Sequence, residues 1–98
     1  MTINKISEGS KLTIVIEGRL DTNSSPKLEA ELRQSVSGVT EFVFDFSGVE
    51  YISSAGLRVL LAAQKVMNRQ GSMRLVGVSA EVMEVFEITG FADILTIG

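Results

Sequence analysis

Between Lys11 and Glu17 polar and apolar residues alternate, with Leu12, Ile14 and Ile16 on one side, which predicts a strand that buries one face. Ile3 and Ile6 ahead of Glu8-Gly9-Ser10 predict an earlier strand joined to it by a tight turn. Gly18-Arg19-Leu20-Asp21 leads out of the second strand. Thr22-Asn23-Ser24-Ser25-Pro26 then supplies a helix cap followed by a proline suited to the first helical position, and Leu28, Leu32 and Val36, four apart, mark that helix's buried stripe. Glu41 to Phe46 reads as a third strand, apolar on both faces through Phe42, Val43, Phe44 and Phe46, as in the middle of a covered sheet. A second helix is predicted from Ser54 to Gln70, stopped by Gly71. Its Leu57, Leu60, Leu61 and Met67 face one way, broadened by Val59 and Val66, while Arg58, Lys65 and Arg69 share a narrow stripe with Ala62 on the other. Ser72 to Val76 forms a fourth strand, and Ala80 to Thr89 a short helix with Val82, Val85, Phe86 and Ile88 inward and Gly90 as its stop. Ile94 to Ile97 reads as a closing strand. An opening hairpin followed by alternating helices and strands gives an α/β fold, a mixed β-sheet with helices packed on its apolar face, in the order ββαβαβαβ.

With 98 residues, the chain is expected to be one domain spanning 1–98. A domain of that size buries about 60 to 65% of its unfolded surface. The absence of cysteine excludes a disulfide framework, a thiolate nucleophile and a cysteine-ligated metal, and suits a reducing, cytoplasmic location. Histidine is absent too, which removes the commonest general base and transition-metal ligand and weighs against an autonomous hydrolase or zinc enzyme. A net charge of −3 without a dense Lys/Arg cluster argues against nucleic acid as a partner. The amino terminus does not read as a signal peptide, and the apolar runs are far shorter than a membrane span. No metal or cofactor is expected. Glu50, Asp21 and Asp45 are the carboxylates that could be considered for magnesium, and their spacing matches no metal-loop motif.

The most informative stretch is Ile52-Ser53-Ser54-Ala55-Gly56-Leu57, where two hydroxyls sit between an apolar strand and a strongly helical segment. The first turn of a helix has N–H groups without intrahelical partners and a partial positive charge, so a serine there suits a phosphate as well as it suits a cap. Ser54 is thus either an ordinary N-cap or a switch residue. Gly56 in the first turn lowers helix propensity by up to about 1 kcal/mol relative to alanine, and close approach of the backbone to a strand or partner is a reason to keep it. Asp45 either ends its strand and caps the turn at Gly48 or orders the loop before Ser54.

The order of elements, with Asp45-Phe46-Ser47-Gly48-Val49-Glu50-Tyr51-Ile52-Ser53-Ser54-Ala55-Gly56-Leu57 at its centre, resembles the STAS superfamily, in particular the bacterial anti-sigma factor antagonists. Gly18-Arg19-Leu20-Asp21 is similar to that family's glycine-to-aspartate turn, and Ile88-Thr89-Gly90-Phe91 to its last helix stop. The resemblance implies a phosphorylation-switched binding module and no enzyme. An anti-sigma factor serine kinase would phosphorylate a serine at this helix start, a PP2C-type phosphatase would reset it, and the dephosphorylated form would bind the kinase so that the sigma factor is released. It places the phospho-acceptor at Ser54 and Asp21 beside it, with Ser53, Gly56, Leu57 and Arg58 completing the partner-binding surface of a monomer or weak dimer. The residue before the acceptor is typically Asp in that family, whereas this chain has Ser53, which stands as a competing acceptor.

The sequence admits two other readings. A STAS subunit could dock on a larger assembly such as a lipid-transport ATPase without being phosphorylated. A receiver-type domain would use Asp45 as acceptor, but the chain is short for that fold and has no adjacent acidic pair to gather magnesium.

Overall fold

A computed structural model describes residues 1–98. Its elements are β1 (Thr2–Glu8), β2 (Lys11–Leu20), α1 (Ser25–Ser35), β3 (Glu41–Ile52), α2 (Ser54–Gln70), β4 (Ser72–Val76), α3 (Ala80–Thr89) and a short 3-10 turn, Phe91–Asp93. One mixed sheet runs in the order β1-β2-β3-β4, with β1 antiparallel to β2 and the other pairings parallel. Right-handed crossovers between strands laid down in one direction put α1 and α2 on the same side. The third helix joins them there, since Phe86 of α3 lies 6.4 Å, ring to ring, from Phe46 of β3.

The period-two pattern read from β2 is realised: Leu12, Ile14 and Ile16 are buried, and Phe42 and Phe44 stand beside the first two across the parallel rungs. Phe42, Phe44 and Phe46 form a continuous row, with centroid separations of 4.5 and 5.8 Å. Leu28 and Leu32 from α1, Leu60 and Met67 from α2, and Val82 and Phe86 from α3 close over this face. Burial of a side chain of this size is worth about 1.5–3 kcal/mol.

Several expectations are corrected. The third strand does not stop at Phe46; it continues to Ile52 through two bulges, where β2 steps Val15 to Glu17 against Asp45 to Gly48, and Gly18 to Arg19 against Val49 to Tyr51. The sheet is covered by helices on one face only. Val43, on the other face, is 5% exposed because Thr13 and Arg74 flank it on the adjacent strands. Ile88 does not pack inward but is 77% exposed, beyond the arc that α3 turns to the sheet. The closing strand shrinks to a single bridge between Leu75 and Ile97: the 3-10 turn consumes the chain after Gly90, leaving room for bonds from Leu75 N–H to the Thr96 carbonyl and from Gly98 N–H to the Leu75 carbonyl. The regular elements therefore follow the order ββαβαβα.

At the far end of α2, Gly71 turns the chain into β4 against the loop before β3. A Cβ on Gly71 would lie 1.9 Å from the Thr40 carbonyl oxygen, which itself accepts the Ser72 N–H at 2.9 Å. Gly71→Ala is therefore expected to lower the urea midpoint, with a loss of about 1–3 kcal/mol as the overpacked backbone gives way. A midpoint equal to that of the parent would show that the turn relaxes without cost.

Candidate functional site

The end of the β2–β3 seam fixes the site. Leu20 pairs with Ile52 on the last rung, and the Ser53 N–H donates to the Leu20 carbonyl at 2.9 Å. Both chains then leave the sheet side by side, β2 into Asp21 and β3 into Ser53 and α2. Gly56 is what allows α2 to start so close. A Cβ there would meet Ile52 Cγ1 at 2.8 Å, Leu20 Cγ at 2.9 Å and the Leu20 carbonyl oxygen at 3.0 Å.

The two serines are not equivalent. Ser53 occupies the N-cap position with extended backbone (φ −99°, ψ 176°), but its side chain makes no capping bond, and its Oγ is sealed from solvent without a hydrogen-bond partner. Ser54 is the first helical residue and is exposed. The cap assignment made for Ser54 therefore moves one residue back, and neither hydroxyl performs it. Ser79, by contrast, caps α3 in the ordinary way, its Oγ accepting the Val82 N–H at 3.2 Å. The first turn of α2 thus keeps its free N–H groups and its positive end.

Of the other residues singled out, Arg58 is exposed one turn beyond Ser54, whereas Gly56 and Leu57 are buried and hold the turn from inside. A shallow pocket beside Ser54 is lined by Thr22, Ser25, Ala55 and Arg58, so the Asp21–Pro26 turn and the start of α2 share one surface. Asp45 lies elsewhere. It sits seven residues before the strand end at Ile52, about 23 Å at ordinary strand rise. There its Oδ1 accepts from Ser47 Oγ at 2.6 Å and Ser47 N–H at 2.9 Å. It staples the first bulge and does not order the loop before Ser54. The Ser47 hydroxyl, then the Ser47 N–H, hold its carboxyl below the usual range. Asp21, Asp45 and Glu50 do not come together as a metal-binding group.

Asp21 is built into its turn. Its Oδ1 accepts the N–H groups of Ser24 and Asn23, each at 3.1 Å, and Oδ2 stands 3.6 Å from Arg19 Nε. With Ser25 rather than Pro26 as the first residue of α1, the N-cap position falls on Ser24, whose hydroxyl turns back instead of capping, donating to the Arg19 carbonyl at 2.7 Å and accepting the Asp21 N–H at 2.9 Å. Two residues escaped the sequence reading. Arg19 lies over the Tyr51 ring at 4.2 Å, and only the second bulge brings these two opposite each other. Such an offset leaves no periodic trace in the sequence.

The Ser24 N–H first, with the Ser24 hydroxyl, the Asn23 N–H and the Arg19 charge, lowers the Asp21 pKa from the ordinary 3.8 against a desolvation effect of opposite sign. A lowered folded-state pKa means that the carboxylate's contribution to stability is complete above the unfolded value and is lost as pH falls through the folded one. A carbon-detected NMR titration of Asp21 is expected to give a midpoint below 3.8, moving back toward it in Ser24→Ala. A parent midpoint at or above that value would contradict the hydrogen-bond pattern.

Known proteins share this architecture and sequence. The STAS domain family matches the chain over residues 2–98. BtrV of Bordetella bronchiseptica is 38% identical, over 99% of this chain and 84% of its own length. The anti-sigma-B factor antagonist of Listeria monocytogenes is 34% identical, over 88% of this chain and 77% of its own. Among solved structures, the anti-sigma factor antagonist SpoIIAA in its unphosphorylated form aligns with a TM-score of 0.78 at 17% identity, covering 99% of this chain and 87% of that one, a likeness of fold. The same protein in its phosphorylated form aligns with a TM-score of 0.76 at 17% identity, covering 99% and 91%. With its sequence matched from end to end and its sheet and helices laid out in the same way, the chain belongs to the STAS domain family.

Proposed function

We propose that this chain is an anti-sigma factor antagonist switched by phosphorylation of Ser54. In the dephosphorylated form it binds an anti-sigma factor that is itself a serine kinase, which frees a sigma factor, and a PP2C-type phosphatase resets the phosphorylated form. The observation that carries the reading is the exposed hydroxyl of Ser54 on the uncapped first turn of α2, one turn from Arg58. The Listeria relative, an anti-sigma-B factor antagonist by name, supports the same reading at 34% identity. No helix is long and apolar enough to cross a membrane.

The physics of the switch favours a surface effect. A phosphoserine adds a charge of about −1.5 to −2. At a helix N-terminus the macrodipole favours an anion by about 0.3–1 kcal/mol. Arg58, four residues on, is in position for a charge-assisted pair with the phosphate. Phosphorylation therefore leaves the helix in place and changes what the surface will accept. An interface complementary to a hydroxyl must desolvate a dianion instead, and a penalty of about 3 kcal/mol weakens binding roughly a hundredfold. Ser53 is the poorer acceptor, because a kinase reaches its sealed Oγ only if the turn opens.

Incubation with the anti-sigma factor kinase of the same organism and ATP, followed by peptide mapping, is expected to place one phosphate on Ser54. Ser53→Ala should still accept it, and Ser54→Ala should not. In calorimetry Ser54→Ala is expected to bind the kinase as tightly as the unphosphorylated parent, and Ser54→Asp more weakly, by about tenfold or more. Equal affinities for both variants would remove the switch. Phosphorylation lost in Ser53→Ala and retained in Ser54→Ala would move it to the other serine.

A further inference from the structure

Helix α2 carries Arg58, Lys65 and Arg69 and no acidic residue, in a chain where 12 acidic residues outnumber 9 basic ones. All three cations are exposed, and the ion pairs of the molecule are made by Lys5, Lys11, Arg19 and Arg33 instead. Steps of four, four, three and four residues join Ser54, Arg58, Ala62, Lys65 and Arg69 into one line along the helix. Lys65 and Arg69 are a like-charged pair four apart, an arrangement that destabilises a helix unless an anion lies against it.

Beside this line, α1 and α2 leave an apolar groove. Its open floor is the exposed Ala62 with the half-buried Val36 and Val66, resting on buried Leu32, Val59 and Ala63. Ala62 and Ala63, with only a methyl group each, leave the space between the helices unfilled. The α1 rim is internally neutral, because Arg33 is bound to Glu29 at 3.0 Å. The groove is thus apolar along its floor, neutral on one bank and positive on the other.

We propose that the α1–α2 face docks an acidic amphipathic helix of a protein partner, with its apolar residues in the groove and its carboxylates on Arg58, Lys65 and Arg69. From Arg58 to Arg69 the positive bank runs for twelve residues, about 16 Å of helix from first to last, enough for three turns of a partner. A helix presents apolar anchors at three- and four-residue spacing with charges beside them, which is the pattern this surface complements. Nucleic acid fits less well, since its phosphates leave the apolar floor uncovered and find only three cations. The assignment goes beyond the phosphoserine reading and does not require it, although a phosphate on Ser54 would stand at the head of the same line and compete for Arg58.

The test uses the unphosphorylated full chain, labelled with 15N, and a synthetic amphipathic helical peptide of about 18 residues with leucines on one face flanked by glutamates. A counterpart with lysines in place of the glutamates and a short DNA duplex complete the probes. The glutamate peptide is expected to shift amide resonances around Val36, Ala62 and Val66 and to bind at least about tenfold more tightly than the lysine peptide. The double change Lys65→Glu and Arg69→Glu should cost about tenfold, and Lys65→Gln with Arg69→Gln a smaller part of that, with circular dichroism unchanged. Shifts spread elsewhere, no shifts, or an equal response to the lysine peptide would overturn the assignment. A duplex that binds through the same residues as tightly as the glutamate peptide would overturn it in favour of a nucleic-acid contact. None of these outcomes bears on whether Ser54 is phosphorylated.

Discussion

Everything that makes the Ser54 surface possible depends on the last rung of the β2–β3 ladder. Leu20 and Ile52 both point into the core there, and the bond from Ser53 N–H to the Leu20 carbonyl ties the start of α2 to the end of β2. Reaching that rung takes two bulges, not one. Each bulge inserts a residue and flips the alternation of side chains between the faces of the sheet. The inward positions of β3 therefore run Phe42, Phe44, Phe46, Val49 and Ile52, changing from steps of two to steps of three. A single bulge would turn Ile52 outward and take the platform under Gly56 with it.

The same arithmetic explains what the sequence revealed and what it hid. The bounds of α2, β4 and α3 were legible residue by residue, because each combines one clear period with a glycine or serine at its ends. The second half of β3 was not, since bulges erase the period of two on which strand recognition rests. Ile94 to Ile97 misled in the opposite sense: a short β-branched apolar run is present, but a strand also needs length to pair along, and the 3-10 turn takes it away. Ile88 shows the limit of apolarity as a guide to burial, because a ten-residue helix turns only part of its circumference to the sheet. At the candidate site, the helix start and its two serines were readable. Which hydroxyl is sealed and which is open is a matter of a turn's geometry, and no spacing encodes it.

Electrostatically, the fold separates charges that work from charges that are available. The Asp21 carboxylate is an internal staple, occupied by two backbone donors and drawn toward Arg19, so it is not a free anion facing Ser54. Asp45 does the equivalent work at the first bulge. Helix α2, for its part, carries three cations, no acidic residue and no ion pair, although the chain as a whole is acidic. Net charge, which in the sequence weighs against nucleic acid as a partner, says nothing about such a local excess.

A rigid platform also constrains how a signal can be written on it. Gly56 is pressed against Leu20 and Ile52 with no room for a methyl group, so the first turn of α2 cannot shift inward to accommodate a new group. An added group on Ser54 must therefore project outward, where free N–H groups at the helix start favour negative charge. Tight packing beneath and an open hydroxyl above make the position suited to changing surface charge while the backbone stays where it is. Those two properties come from the same glycine and the same rung, so the bulged seam beneath sets the geometry of the exposed turn above it.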